Sequence, residues 1–302
     1  MNVLVTGGAG LIGMAVRGAL TAQGHVATAI DVTDFGRRDV ELQIVDLHNR
    51  PALEALISER NIEAIIHGGG VSGPMMAKGQ PLIVVDVNVG GTAMLLDLAR
   101  VHAMRRFVFC SSISVYGNVG SAPITEDTPL RPTSIYGATK VACEQLIRGF
   151  ALEYGLDGVS LRISRVYGPY RRANCNLGSI IRDAATGRAT EIPCDPLFMY
   201  HYVHVEDVAE ALIKALEAET LQSREYNLGS GEALTMSQIA EIAMRTIPHS
   251  MINLVPGADD VSDVQTIIDV ARIGRELGWM PRLDLAKGLQ AYRRELEAGR
   301  AA

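Results

Sequence analysis

An apolar triplet, Val3, Leu4 and Val5, runs straight into Gly7, Gly10 and Gly13, after which apolar residues recur at helical spacing. Few folds accommodate a strand, a turn of small residues and a helix in that order. Glycines there let the amides at a helix N-terminus, here those of Leu11 and Ile12, approach an anion such as a pyrophosphate. A tight strand-to-helix turn that binds nothing carries the same pattern, so the rest of the chain has to decide between them.

Further along, "HVATAID", "LQIVDL", "AIIHGGG", "RFVFCSS" and "GVSLRIS" are short apolar runs of buried-strand type, separated by helix-length stretches with apolar residues at three and four spacing. This alternation predicts an α/β fold, a doubly wound parallel sheet wrapped by helices. After Tyr167 the texture becomes mixed, then "YHYVHVEDVAEALIKALEAE" reads as a strand and a helix returning to the sheet. The pattern predicts a sheet domain over 1–166 plus about 200–220. Residues 167–199 and 221–302 are expected to form a smaller C-terminal substrate-binding lobe with a small strand and two further helices.

A formal net charge of −6 offers no basic footprint for nucleic acid. Four scattered cysteines without C-x-x-C predict neither disulfides nor a metal centre. No basic and apolar leader precedes the first strand, and no apolar run is read as approaching the ~18 residues a bilayer span needs. The expectation is a cytoplasmic protein without a membrane or nucleic-acid partner.

Asp31 closes the second strand run, eighteen residues beyond Gly13. A carboxylate there accepts hydrogen bonds from an adenosine ribose and repels a 2′-phosphate, which favours NAD over NADP. Arg37 and Arg38, close by in sequence, weigh the other way. Tyr136 and Lys140 in "SIYGATK" lie one turn apart on one helix face. An ammonium beside a phenol favours the phenolate and makes a usable base. "CSSISVYG" ends a strand with serines able to bond a substrate hydroxyl, at the sheet edge where ligands bind.

Taken together, "TGGAGLIG", Asp31, "DL" at Asp46 and Leu47, "HGGG", Asn88 in "VNVGGT", "SSISVYG", "YGATK", "VHVEDVAEAL", "YNLGSGE" and "RELGWMPR" resemble the extended short-chain dehydrogenase/reductase superfamily in its NAD-dependent epimerase/dehydratase branch, over nearly the whole chain. The resemblance implies a Rossmann-type fold. It makes Tyr136 the general base or acid, Lys140 its modulator and ribose ligand, and Ser112, three residues before the Val of "VYG", the hydroxyl-orienting residue. It places Gly7, Gly10, Leu11, Ile12, Gly13, Asp31, Asp46, Leu47, Gly68, Gly69, Asn88, Tyr136 and Lys140 against NAD. Asn88 and His67 read equally well as satisfied core polar groups.

The chain departs from that branch where nucleotide sugars are held. Tyr200 and Val255 stand in place of arginines, and Arg165 in place of an asparagine. Ser72, Ser112, Arg165, Arg171 and Tyr200 are candidate substrate contacts, with Arg172 a neighbouring anion anchor; His201 and His204 lack a third metal ligand. The leading expectation is NAD-dependent hydride transfer at a secondary hydroxyl of a small sugar, sugar acid or polyol. A UDP-sugar 4-epimerase with tightly bound NAD and a non-catalytic NAD-binding regulator remain as alternatives. A 4,6-dehydratase is disfavoured, since Ile113 and Ser114 replace its Asp-Glu pair. By the same resemblance, a homodimer forms through "GGTAMLLDLARVHA" and "GATKVACEQLIRGFALEYG", unless their apolar residues belong to the monomer core.

Overall fold

The computed structural model describes residues 1–73, 79–171, 175–257 and 263–298. In β1 (Asn2–Thr6), Val3 and Val5 enter one core and Leu4 another. β4 (Ala64–His67) and β5 (Arg106–Ser112) repeat the division, with Ile66 and Val108 on one side and Ile65, Phe107 and Phe109 on the other. Successive strand residues face opposite ways, so strands apolar throughout need cover on both faces. α1 (Leu11–Ala22) and the helix Val205–Glu217 cover the first face; α2 (Arg50–Glu59), α4 (Gly91–Val101) and α5 (Ile135–Tyr154) cover the second.

With β2 (Val26–Asp31), β3 (Leu42–Ile44) and β6 (Gly158–Ile163), the sheet runs Glu225–Leu228, β6, β5, β4, β1, β2, β3, every neighbouring pair parallel. Winding reverses between β4 and β1, and ligands of such sheets lie beyond the carboxyl ends of strands at that switch. The glycine turn leaves β1 at this point.

The strand expected in the lobe, Glu225–Leu228, instead pairs with β6 as the seventh strand. Ile273 and Trp279 also pack into the sheet core, with Trp279 Nε1 donating to Asp207 O at 3.0 Å. The lobe boundary drawn at 221 is corrected accordingly. Of the stretch expected to return to the sheet, Tyr202–His204 pairs with Arg165–Tyr167 in a separate two-stranded sheet, while Val203 and the helix after it pack into the sheet core. The lobe proper contains the parallel strands Ala189–Cys194 and Met251–Pro256 and the helices Asn176–Ala185, Met236–Thr246 and Leu285–Glu297. They enclose a core that includes Leu177, Ile180, Ile239, Leu289 and Tyr292.

α3 (Pro81–Val85), a π turn and α4 run on as one helix, Pro81–Val101, long and apolar enough to cross a membrane by length and composition. The sequence reading expected no such run. Leu95, Leu96, Leu98 and Ala99 bury its inner face in the second core, and Asp97 accepts hydrogen bonds from Arg50 and Arg100, so the helix is a layer of this domain.

Candidate active site

At Gly7 φ is +69°, and a Cβ there would meet the backbone of Gly68 and Gly69 at 2.8 Å. A Cβ on Gly13 would press into the Gly7 carbonyl oxygen and lie 2.7 Å from Gly8 Cα. The turn, the first turn of α1 and the exit of β4 therefore pack with no side chain between them. α1 has no side-chain N-cap at Gly10, and the first helical bond is Met14 N–H to Gly10 O. Its leading amides, Leu11 and Ile12 among them, remain for an outside acceptor.

Beside the turn, Asp31 Oδ2 accepts Ala9 N–H at 3.1 Å and Oδ1 accepts Val32 N–H at 2.8 Å. Burial raises its carboxyl pKa against these backbone donors, and each oxygen keeps capacity for a further donor such as a ribose hydroxyl. A turn with no room for Cβ atoms, an uncapped helix start and this carboxylate fit the diphosphate and adenosine ribose of NAD.

The remaining cofactor candidates divide. Asp46 is exposed and accepts from His48 N–H at 2.8 Å, whereas Leu47 is buried against Gly91. Asn88 is taken up by the protein: its Oδ1 accepts Val71 N–H at 2.8 Å and its Nδ2 donates to Val71 O and Thr139 Oγ1. It therefore ties the 68–72 loop to α5. His67 lies in the core, where burial holds its pKa down to about 3. Thr92 Oγ1 donates to Asn88 O, so it accepts from His67 Nε2–H at 3.0 Å, leaving Nδ1 to accept from Thr6 Oγ1 at 2.6 Å. Both ring nitrogens are thus satisfied in the neutral tautomer.

Tyr136 and Lys140 sit in the first two turns of α5, capped by Ser134 Oγ accepting Gly137 N–H at 3.1 Å. A Cβ on Gly137 would meet Ser114 O at 2.5 Å, so a glycine after Tyr136 lets the helix start press onto the residues leaving β5. Lys140 is buried; its Nζ donates to Cys110 O at 2.8 Å and lies 5.7 Å from the Tyr136 ring centre. Cys110 Sγ in turn lies 3.6 Å from where a Cβ on Gly68 would stand, and Gly68 abuts Gly7. Lysine and glycine turn are thus separated only by the ends of β4 and β5. Ser112 ends β5, its Oγ accepting Ser114 N–H at 3.2 Å and keeping its own proton to donate. Ser111 is committed elsewhere, donating to buried Glu144 at 2.5 Å.

Among the candidate substrate contacts the structure joins residues far apart in sequence. The Arg165 guanidinium lies 5.1 Å from the Tyr200 ring and 5.9 Å from that of Tyr202, within cation–π range. Tyr200 is buried in the lobe core and stacks on Tyr202, where its ring backs Arg165. Arg171 Nη1 donates to Val166 O at 2.7 Å. Ser72 is exposed, and Arg172 falls outside the described residues. Val255 lies in the lobe strand Met251–Pro256, opposite Pro193. Among the described residues no His, Cys, Asp and Glu cluster is placed to hold a metal.

Sequence reasoning missed the buried pair Arg162–Glu144 at 2.8 Å behind the site. Arg162 Nη1 also donates to Tyr116 OH, which donates to Asn227 Oδ1 at 2.6 Å. The signal was available: an arginine inside a buried strand requires a partner, and Glu144 lies one turn beyond Lys140 on α5. This pair ties α5 to β6, so it helps keep Tyr136 and Lys140 in register with β5.

The model of the NAD dependent epimerase/dehydratase family matches residues 3–229. A UDP-glucose 4-epimerase of Corynebacterium glutamicum is 30% identical over 299 residues, covering 93% of this chain and 91% of that protein. The structure of a UDP-glucose 4-epimerase from Thermotoga maritima with UDP-glucose superposes with a TM-score of 0.89 at 26% identity, over 99% of both chains. MoeE5 in complex with UDP-glucuronic acid and NAD gives 0.87 at 27% identity, over 99% of this chain and 100% of that one. Fold, cofactor cradle and sequence agree: the chain belongs to the NAD-dependent epimerase/dehydratase family and is an NAD-dependent enzyme of the extended short-chain dehydrogenase/reductase type.

Proposed function

We propose that this enzyme interconverts a nucleotide sugar and its 4-epimer, holding NAD through the cycle. The observation that carries the reading is the convergence of Ser112, Tyr136 and Lys140 at the end of β5, beside the glycine turn. NAD, when bound, supplies a hydride acceptor at its nicotinamide ring. Ser112 Oγ holds the reacting hydroxyl of the substrate, and Tyr136 takes that hydroxyl's proton and later returns it. Lys140, braced on Cys110 O, keeps a positive charge near the oxygen from which the proton leaves.

Arg165 supports a phosphate-bearing substrate. Its guanidinium stands against the Tyr200 ring, so the charge that position 200 lacks is supplied from position 165. Net oxidation of a small sugar acid is the second reading, favoured by Tyr200 and Val255 standing where arginines were expected. Incubation with UDP-glucose, UDP-glucuronic acid or free sugar acids, read by NMR and by absorbance of reduced nicotinamide, separates the two. A 4-epimer without accumulating NADH is expected; NADH from a sugar acid with no epimer from either UDP-sugar would overturn the epimerase reading.

All four cysteines are buried and no disulfide joins them, which suits a reducing compartment, taken here to be the cytoplasm. We further propose a homodimer through α4 and α5, which expose Val101, Leu152 and Tyr154. Sedimentation is expected to give about twice the 32.5 kDa chain mass. A monomer at micromolar concentration would contradict this.

A further inference from the structure

The segment after β2 is built to present one side chain. Asp34 accepts with its carboxylate from Gly36 N–H at 2.8 Å and Arg38 N–H at 3.0 Å, and with its carbonyl from Arg37 N–H at 3.2 Å. Phe35 and Arg38 are held at φ +55° and +53°, on either side of Gly36 at +79°. Two non-glycine residues in left-handed backbone within four positions persist only where their surroundings over-determine them.

This loop delivers Arg37 to the glycine turn. Its Nη1 donates to Ala9 O at 2.6 Å and its Nη2 to Tyr170 O at 3.5 Å. The Ala9 residue is thereby pinned at both ends, its N–H on Asp31 and its carbonyl on Arg37. Arg17 approaches from α1, donating to Gly8 O at 3.3 Å while paired with Asp39. Tyr170 lies in the stretch Gly168–Arg171, by which the chain leaves the Arg165–Tyr167 strand and which carries Arg171. Arg37 thus joins the cofactor turn to the substrate side across the adenosine end of the cradle.

We propose that Arg37 is a positioning residue, a strap that holds the 168–171 stretch against the glycine turn and slows the release of NAD. The proposal rests on NAD lying on that turn, with its adenosine ribose at Asp31. For the adenosine end to leave, the stretch has to lift, and lifting breaks the guanidinium's hydrogen bond to Tyr170 O and loosens its hold on Ala9 O. Hydrogen bonds from a charged donor slow such an opening by about ten- to hundredfold. An enzyme that returns hydride to the same substrate needs such retention, since lost NAD interrupts the cycle.

The test is a chase: protein loaded with NAD is mixed with excess etheno-NAD, and uptake of the fluorescent analogue reports NAD release. Arg37→Ala is expected to release NAD at least about tenfold faster. Arg37→Lys, which reaches one carbonyl, should fall between it and the unaltered protein. The thermal midpoint of the NAD-free Arg37→Ala protein should stay within about 2 °C, separating a strap from a general loss of structure. Should Arg37→Ala not fold, Asp34→Ala, which frees the loop but keeps Arg37, is expected to speed release severalfold. Release within about twofold of the unaltered protein in Arg37→Ala, or in both Arg37→Lys and Asp34→Ala, overturns the proposal. Failure of the unaltered protein to take up NAD would instead overturn the placement of the cofactor.

Discussion

Tyr136→Phe is expected to lower turnover by about a thousandfold, within the range that positioned acid–base groups contribute, while NAD binding stays close to that of the unaltered protein. The hydroxyl lost is the group assigned to carry the proton. The glycine turn, the Asp31 carboxylate and the Lys140 bond to Cys110 O are all left in place. The ring also remains, and with it the packing of the first turn of α5. Steady-state rates on an identified substrate, with NAD binding measured separately, make the check. A phenylalanine variant as fast as the unaltered enzyme would remove Tyr136 from the chemistry.

Gly13→Ala should act on binding rather than on the chemical step. The new methyl would press into the Gly7 carbonyl oxygen and stand 2.7 Å from Gly8 Cα, so its nearest neighbours are backbone rather than the end of a flexible side chain. α1 would have to move off the turn, carrying its leading amides away from the diphosphate. NAD affinity is expected to fall by about a hundredfold, and overpacking of this kind costs about 1–3 kcal/mol of stability. Gly18→Ala, in the same helix but with nothing within 4 Å of the added Cβ, is the matched control. It should leave affinity unchanged and gain a fraction of a kcal/mol from helix propensity. Calorimetric titration with NAD and thermal unfolding of both variants decide the matter, and equal affinities would contradict the cradle as described.

The parts of the fold legible in the sequence were those governed by local rules. The glycine turn declares itself because only residues without Cβ fit between β1, α1 and the end of β4. The choice of Ser112 over Ser111 came from the family's spacing to "VYG"; Ser111 itself donates to Glu144. What escaped depends on pairing between distant segments. Four residues, Glu225–Leu228, look alike whether they extend the main sheet or start a lobe, and only pairing with β6 tells them apart. Tyr200 was expected to meet substrate because it stands where the family it resembles carries an arginine that holds the substrate's phosphates. The stacking of Tyr200, Tyr202 and Arg165 across 35 positions, which buries Tyr200 and brings Arg165 to it, has no local signature.

Transfer of a hydrogen label tests the central claim most directly. UDP-glucose carrying deuterium at C4 is incubated with the enzyme, and substrate and epimer are examined by NMR and mass spectrometry. If Ser112, Tyr136 and Lys140 serve hydride transfer to retained NAD, the deuterium remains at C4 in the epimer and none enters solvent. An epimer that has exchanged its C4 deuterium for solvent hydrogen would contradict the claim.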